Sequence, residues 1–170
     1  MKIHICGIYG CGKTTLAKYL SKKLNIPNYS LDDFKYKVKY NEIYPVEERV
    51  KKVNQITSKD KWITEGTWSG YAKNSFKNAD IIILMLTPKY KCCYRILKRF
   101  FKRQKGKKDN LIVALKLCGE VFKYHNEDRP VSLKSHKELI LKYNKKPIIV
   151  RKNDEIKKLI IKKIEESENK

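Results

Sequence analysis

The stretch Gly7-Ile8-Tyr9-Gly10-Cys11-Gly12-Lys13-Thr14 satisfies G-x-x-x-x-G-K-[ST]. Residue types in this order hold polyphosphate. Glycines let the backbone curl until successive N–H groups point inward at phosphate oxygens. A helix that follows adds the positive end of its dipole. Lys13 then reaches the β- and γ-phosphates of a nucleoside triphosphate, and the hydroxyl of Thr14 ligates Mg²⁺. Gly7, Gly10, Cys11, Gly12, Lys13, Thr14 and Thr15 form the expected nucleotide-binding set. Because Cys11 lies inside the loop, modification of its thiol is expected to block ATP.

Carboxylates and cations elsewhere suggest what happens to the phosphate. Asp32 follows a short apolar-polar run, where it can accept the proton of an acceptor hydroxyl or cap the next helix, with Asp33 as its rival. Glu65 precedes Gly66 at the end of another such run; it can hold Mg²⁺ through water or make a local turn contact. Arg95, Arg99 and Arg103 recur every four residues and share one helical face. Residues 89–108 contain ten basic side chains and no acid. Like charges at i, i+4 repel by a few tenths of a kcal/mol, roughly, per pair. Anionic phosphates would neutralise that cost, so Arg95 and Arg99 read as lid cations acting on a transferring phosphoryl group. Arg129 reads as a further phosphate contact or as the anchor of a helix start, and Lys152 and Asn153 are expected to border the adenine. His4, His125 and His136 are isolated and form no metal set. The aromatics Tyr36, Tyr40, Tyr44, Trp62, Trp68 and Tyr71 interleave with lysines; packing is the favoured reading over base stacking.

These residues need elements to position them. Residues 2–6 read as a strand, and Leu16, Leu20 and Leu24 give a helix from Lys13 to Leu24. Further strands are expected at 28–31, 61–65, 80–86 and 147–151. The run from Ile81 to Leu86 is apolar throughout, as in a central parallel strand covered on both faces. A polar, basic helical region spans 34–58, with Pro45 opening its second half; it is the expected acceptor flap. Pro88 opens a basic helix whose continuation to about residue 110 is the expected lid. Helices follow at 110–124 and 131–143, and a terminal amphipathic helix carries Ile156, Leu159, Ile160 and Ile164. Strands alternating with helices give an α/β fold: a phosphate-loop NTPase with a five-stranded parallel sheet flanked by helices. With no internal repeat and no linker, residues 1–170 read as one domain.

Composition narrows the class. Forty Lys and Arg against eighteen Asp and Glu leave a net charge of +22. Only six of those cations are Arg, the residue preferred for bidentate contacts to phosphate and bases, so the charge implies anionic partners without making nucleic acid more than a possible one. No apolar run has the ~20 residues of a membrane span, so no membrane partner is expected. Five cysteines without a CxxC pair suit a reducing cytoplasm. No Asn-Lys-x-Asp tetrad is present to read guanine.

Taken in order, several segments resemble the DNA topology modulation protein family, a branch of adenylate-kinase-like phosphate-loop kinases. They are the loop itself, Leu31-Asp32, the run from Trp62 to Ser69, Ala79-Asp80, Pro88, Arg95 to Arg99, Arg129-Pro130 and Val150 to Ile156. The chain departs from that family at Glu65, where relatives carry Asp, at Leu86, where they often place Asp, and at Gly70 and Ser75, where basic residues are missing. The resemblance implies ATP, Mg²⁺ and kinase architecture, without defining an acceptor. The expected function is Mg²⁺-dependent transfer of the ATP γ-phosphate to a small molecule or nucleotide. Two alternatives are an ATP-regulated DNA-binding protein and a kinase of nucleic-acid 5′ ends.

Overall fold

The computed structural model describes residues 1–38, 42–67, 69–103, 111–126, 129–151 and 161–162. Lys152, Asn153, Trp68, the loop 104–110 and the expected terminal helix lie outside these residues, except for Ile161 and Lys162.

Five strands form one parallel sheet: β1 (Lys2–Gly7), β2 (Asn28–Ser30), β5 (Trp62–Gly66), β6 (Ile81–Met85) and β7 (Ile148–Val150), in the order β2-β5-β1-β6-β7. Strand β1 is central because its residues are apolar on one face and small or polar but buried on the other. Ile3 and Ile5 join a core with Leu16, Ala17 and Leu20 of helix α1 (Lys13–Leu24) and with Ile96 and Phe100 of helix α5 (Lys89–Arg103). Cys6 joins the opposite core with Trp62, Phe76, Ile82 and Leu84. In β6 the alternation repeats, with Ile83 and Met85 on the first face and Ile82 and Leu84 on the second. A strand buried on both faces is what the continuous apolar run anticipates.

The helices cover both faces. Against the second core lie α2 (Leu31–Lys35), α3 (Val46–Thr57), α4 (Lys73–Asn78) and α7 (Leu133–Lys142), while α6 (Leu111–Asn126) packs beside α5 on the first. Trp62 is fully buried with its indole N–H unpartnered among the described residues. Burying a tryptophan gains roughly 4–6 kcal/mol at about 25 cal/mol per Å², against a lost hydrogen bond costing about 1–3 kcal/mol, so packing wins. The packing reading therefore holds for Trp62, and for Tyr71, which is buried with its hydroxyl donating to the carbonyl of Leu31 at 2.8 Å.

Region 34–58 is not helical throughout. Its first half is the end of α2 and a short antiparallel ribbon, β3 (Tyr36–Val38) and β4 (Glu42–Ile43), closed at its base by Tyr44 N–H on the carbonyl of Lys35 at 3.0 Å. Only the second half is a helix, α3, entered from Pro45 as anticipated, with Glu47 and Glu48 in its first turn. The aromatic and β-branched pair Tyr36 and Val38 favours extended backbone over helix. Helix α4 was not expected; with Phe76 as its one large apolar residue it offers no 3.6-residue period to read. Helix α7 starts one turn past Pro130 on a reciprocal cap, Ser132 and Ser135 each bonding the other's backbone N–H at 3.0 Å.

Candidate functional site

The chain leaves β1 at Gly7 and enters α1 at Lys13 through a loop that needs three left-handed glycines, Gly7 (φ 147°), Gly10 (φ 72°) and Gly12 (φ 104°). At two of them space forbids a side chain as well. A Cβ at Gly7 would lie 2.7 Å from the carbonyl oxygen of Met85, and one at Gly10 would lie 2.5 Å from that of Cys92. The loop is thus pressed onto the start of α5 and the end of β6. Two side chains hold its outward carbonyls: Thr87 Oγ1 donates to that of Cys11 at 3.0 Å, and Arg95 Nη1 donates to those of Cys11 at 3.1 Å and Gly10 at 3.4 Å. Within the loop itself the Cys11 N–H donates to the carbonyl of Ile8 at 3.4 Å.

Lys13 is buried, and its ammonium donates to the carbonyl of Ile8 at 2.9 Å with Cys11 Sγ at 3.9 Å. An ammonium has three donors, and one carbonyl with a distant sulfur is poor compensation for a buried charge. The side chain folds back on its own loop where an anion would satisfy it better. Thr14 and Thr15 open α1 on its exposed side. The side chain of Cys11 is fully buried and joins the first core, with its Sγ 3.9 Å from the Lys13 ammonium. All five cysteines are free thiols; burial pushes Cys92 up to about 12 and raises Cys6 further above its usual value.

Across from the loop, Thr14 Oγ1 donates to Glu65 Oε1 at 2.9 Å. The hydroxyl and the carboxylate come together because β5 runs beside β1 in register, Ile5 opposite Glu65 and Cys6 opposite Gly66. Such a hard-oxygen pair suits Mg²⁺, which takes few protein ligands and keeps water. Among the described residues no group of three or more His, Cys, Asp or Glu could hold a metal. Gly66 allows the close approach of Leu31, whose Cβ would lie 2.7 Å from a Cβ there. Ser30 pairs with Glu65 in the sheet, so Asp32, two residues on, belongs to the same carboxyl edge. Asp32 and Asp33 are exposed in the first turn of α2, inside the helix and not at its cap. Burial lowers the Lys35 amine below its ordinary value, while the Asp32 charge opposes the shift.

Arg95 and Arg99 lie one turn apart on α5, Arg95 half-buried on the loop carbonyls and Arg99 exposed. Arg129 is ion-paired with Glu120 in the interior of α6 at 3.0 Å.

Sequence reasoning missed two sets of residues. Thr87 is one; its signal was its place between the central strand and Pro88. The other is a buried polar seam behind the exit of β5. His136 Nε2–H donates to the carbonyl of Thr67 at 3.0 Å, which leaves Nδ1 to accept from the hydroxyl of Tyr124 at 2.7 Å. Ser69 donates to the carbonyl of Pro130. His4 meets Thr64 Oγ1 at 2.9 Å, and both His4 and His136 flank the Phe76 ring. Burial lowers His136 to about 4 and His4 to about 3, the latter further depressed by His136 and Lys13. The two imidazoles are therefore neutral, and they are not isolated from one another. Their partners are 60 or more residues away, or on another helix, so no local pattern announces them.

No family model matches the chain. It is similar to the uncharacterized protein YqaC of Bacillus subtilis (strain 168), 29% identical over 102 residues, 59% of this chain and 57% of that protein. The match thus spans little more than half the length of that curated relative. Among solved structures, shikimate kinase from Acinetobacter baumannii in complex with shikimate aligns at a TM-score of 0.63 with 14% identity, over 99% of this chain and 95% of that one. An uncharacterized protein from Eubacterium ventriosum ATCC 27560 aligns at a TM-score of 0.54 with 16% identity, over 98% of both chains. At such identities the likeness concerns the fold alone, a five-stranded parallel sheet flanked by helices shared with that shikimate kinase structure.

Proposed function

We propose that this protein is a small phosphate-loop kinase that moves the γ-phosphate of ATP to a hydroxyl-bearing acceptor. The observation that carries the reading is the pairing of a three-glycine loop with the Thr14–Glu65 contact at 2.9 Å. A glycine-rich turn with no ligand would not need a buried lysine at its mouth or a carboxylate opposite its hydroxyl.

Lys13 and the loop N–H groups hold the phosphates, and Lys13 exchanges the Ile8 carbonyl for phosphate oxygen. Thr14 and Glu65 are the residues that would hold Mg²⁺, which supplies charge neutralisation on the phosphates when bound. Thr15 extends the loop contact at the start of α1. Arg95 keeps the loop shaped through its carbonyls and Arg99 faces the transferring group, with residues 89–110 as the lid that excludes water. Asp32 accepts the proton of the acceptor hydroxyl, and 34–58 is the flap that presents that acceptor. Lys152 and Asn153 border the adenine. Catalysis is positioning plus charge neutralisation, with little covalent chemistry by the protein.

A screen of radiolabelled ATP transfer tests the reading, run over nucleosides, nucleotides, sugars, shikimate, antibiotics and 5′-hydroxyl oligonucleotides. Transfer to one acceptor class that disappears in Lys13→Ala is the expected result. Failure of the protein to bind ATP with Mg²⁺ at all would sink it.

A further inference from the structure

Helices α5 and α6 pack antiparallel: Lys89 Nζ lies 5.6 Å over the ring of Phe122, and Cys93 Sγ lies 4.0 Å from the carbonyl of Cys118, so contacts step down α6 as they step up α5. The inner sides of both helices enter the core through Ile96, Phe100, Ala114 and Val121. Their outer sides are also apolar. On α5, Tyr90, Tyr94 and Phe101, spaced four and seven apart on one face, are 69%, 61% and 63% exposed. On α6, Leu111, Leu115 and Phe122 repeat that spacing at 46%, 55% and 54%, with Ile112 beside them at 56%. The antiparallel packing sets the two stripes side by side as one face.

We infer that this face is the interface of a homodimer, in which the α5–α6 pair of one chain packs on the same pair of a second copy across a two-fold axis. Area is the first reason. At roughly 150–250 Å² per aromatic side chain and less for Leu and Ile, four aromatic and three aliphatic side chains, each about half exposed or more, present on the order of 700 Å². That exceeds the roughly 300–600 Å² of the largest patch on an ordinary monomer and approaches the about 800 Å² that one partner contributes to a standard interface. Charge placement is the second. No ionisable group other than tyrosine lies in the stripes. Lys98 Nζ lies 5.5 Å over Tyr94, and Lys89 Nζ reaches from α5 to lie 5.6 Å over Phe122 of α6, so these two lysines cover stripe rings with their stems. Long lysine side chains can swing their ammonium heads to the rim when a second copy docks, where water screens them beyond about 8 Å. Two antiparallel helices stacked on two more also make a bundle with a shared apolar centre, the arrangement such stripes suit. The dimer would buttress α5, the helix whose Arg95 holds the loop carbonyls.

The proposal does not depend on the nucleotide reading. Light scattering behind size exclusion, from low to high micromolar protein, measures the mass directly. A dimer is expected, with Tyr94→Glu and Leu115→Glu each weakening its dissociation constant by at least about thirtyfold. Both positions are exposed, and circular dichroism should find each variant as helical and as cooperative in melting as the parent. Any of four results would overturn the proposal. They are a monomer at every concentration, a dimer unchanged by both substitutions, and a monomer whose Tyr90 and Tyr94 resist tyrosine-directed surface labelling because the chain's own residues 152–170 cover the face. The fourth is a monomer that uses the face to bind vesicles of anionic lipid or a single-stranded oligonucleotide.

Discussion

The glycine loop and the proposed acceptor flap are made in different ways. The loop from Gly7 to Thr14 is specified inside one short segment, by glycines that alone accept its φ angles and by a lysine and a threonine at fixed offsets. The flap over 34–58 is assembled from the end of α2, a two-stranded ribbon and α3, and it packs on the second core through Phe34, Val50, Val53 and Ile56. Phosphate is the same in every nucleotide, and backbone geometry suffices to hold it. An acceptor differs from enzyme to enzyme, and the side chains that read it sit on elements that vary. Substitutions in the two regions should therefore fail in different ways.

Lys13→Ala should produce the largest loss, about 10³-fold or more in transfer, because a charge aimed at the migrating phosphoryl group is removed; single-turnover assays with labelled ATP measure it. Asp32→Asn should cost about 10²-fold in transfer while nucleotide affinity stays as in the parent. An equal loss of ATP affinity in Asp32→Asn, read by isothermal titration, would abolish the distinction between the loop and the acceptor side. Gly10→Ala should show the opposite signature. A Cβ 2.5 Å from the Cys92 carbonyl forces the loop off α5, and overpacking of this kind costs about 1–3 kcal/mol. Its melting temperature and its nucleotide affinity, by about tenfold or more, should fall together.

Arg95→Ala and Arg99→Ala sharpen the comparison on a single helix. Removing Arg95 strips two loop carbonyls of a donor and should lower both stability and nucleotide affinity, whereas removing Arg99 should slow transfer alone. If thermal melts and titrations find the two variants alike, Arg95 does not act through the loop.

Acid acts mainly behind the flap. Neutral His4 and His136 titrate at about 3 and about 4 in the folded chain, against 6.5 when unfolded. Above the unfolded value neither state binds protons at these rings and the fold keeps its full stability. As pH falls below it the unfolded chain takes up protons that the folded chain refuses, and stability drops, by about 1–2 kcal/mol per histidine near pH 5. Melting curves between about pH 7 and pH 5 should shift downward by several degrees, and less so in His136→Gln. A flat profile would mean that the two rings are not held neutral.

Legibility in the sequence followed the range of the interactions. Helix α1 and strands β1, β5 and β6 were readable to within a residue or two, since each repeats apolar residues at its own period. The pairing of Thr14 with Glu65 was readable as two ligands of one metal only through the motif and the strand end. Their 2.9 Å contact depends on β1 and β5 being neighbours, which no local pattern states. The ribbon in the flap was misread as helix because its lysines and tyrosines have no period, and α4 was too short to show one.

What the sequence determined by itself is the conformation of the loop, because the positive φ angles at Gly7, Gly10 and Gly12 are open to glycine at little cost. It also determined the alternation that buries β1 and β6 on both faces. Tertiary structure alone decided the rest. It turned Arg95 onto the carbonyls of Gly10 and Cys11, buried the thiol of Cys11, and joined Tyr124, His136 and Thr67 in one line of hydrogen bonds. These contacts span up to 85 residues of chain, and such distances are closed only when the sheet order is set and the helices have docked on it.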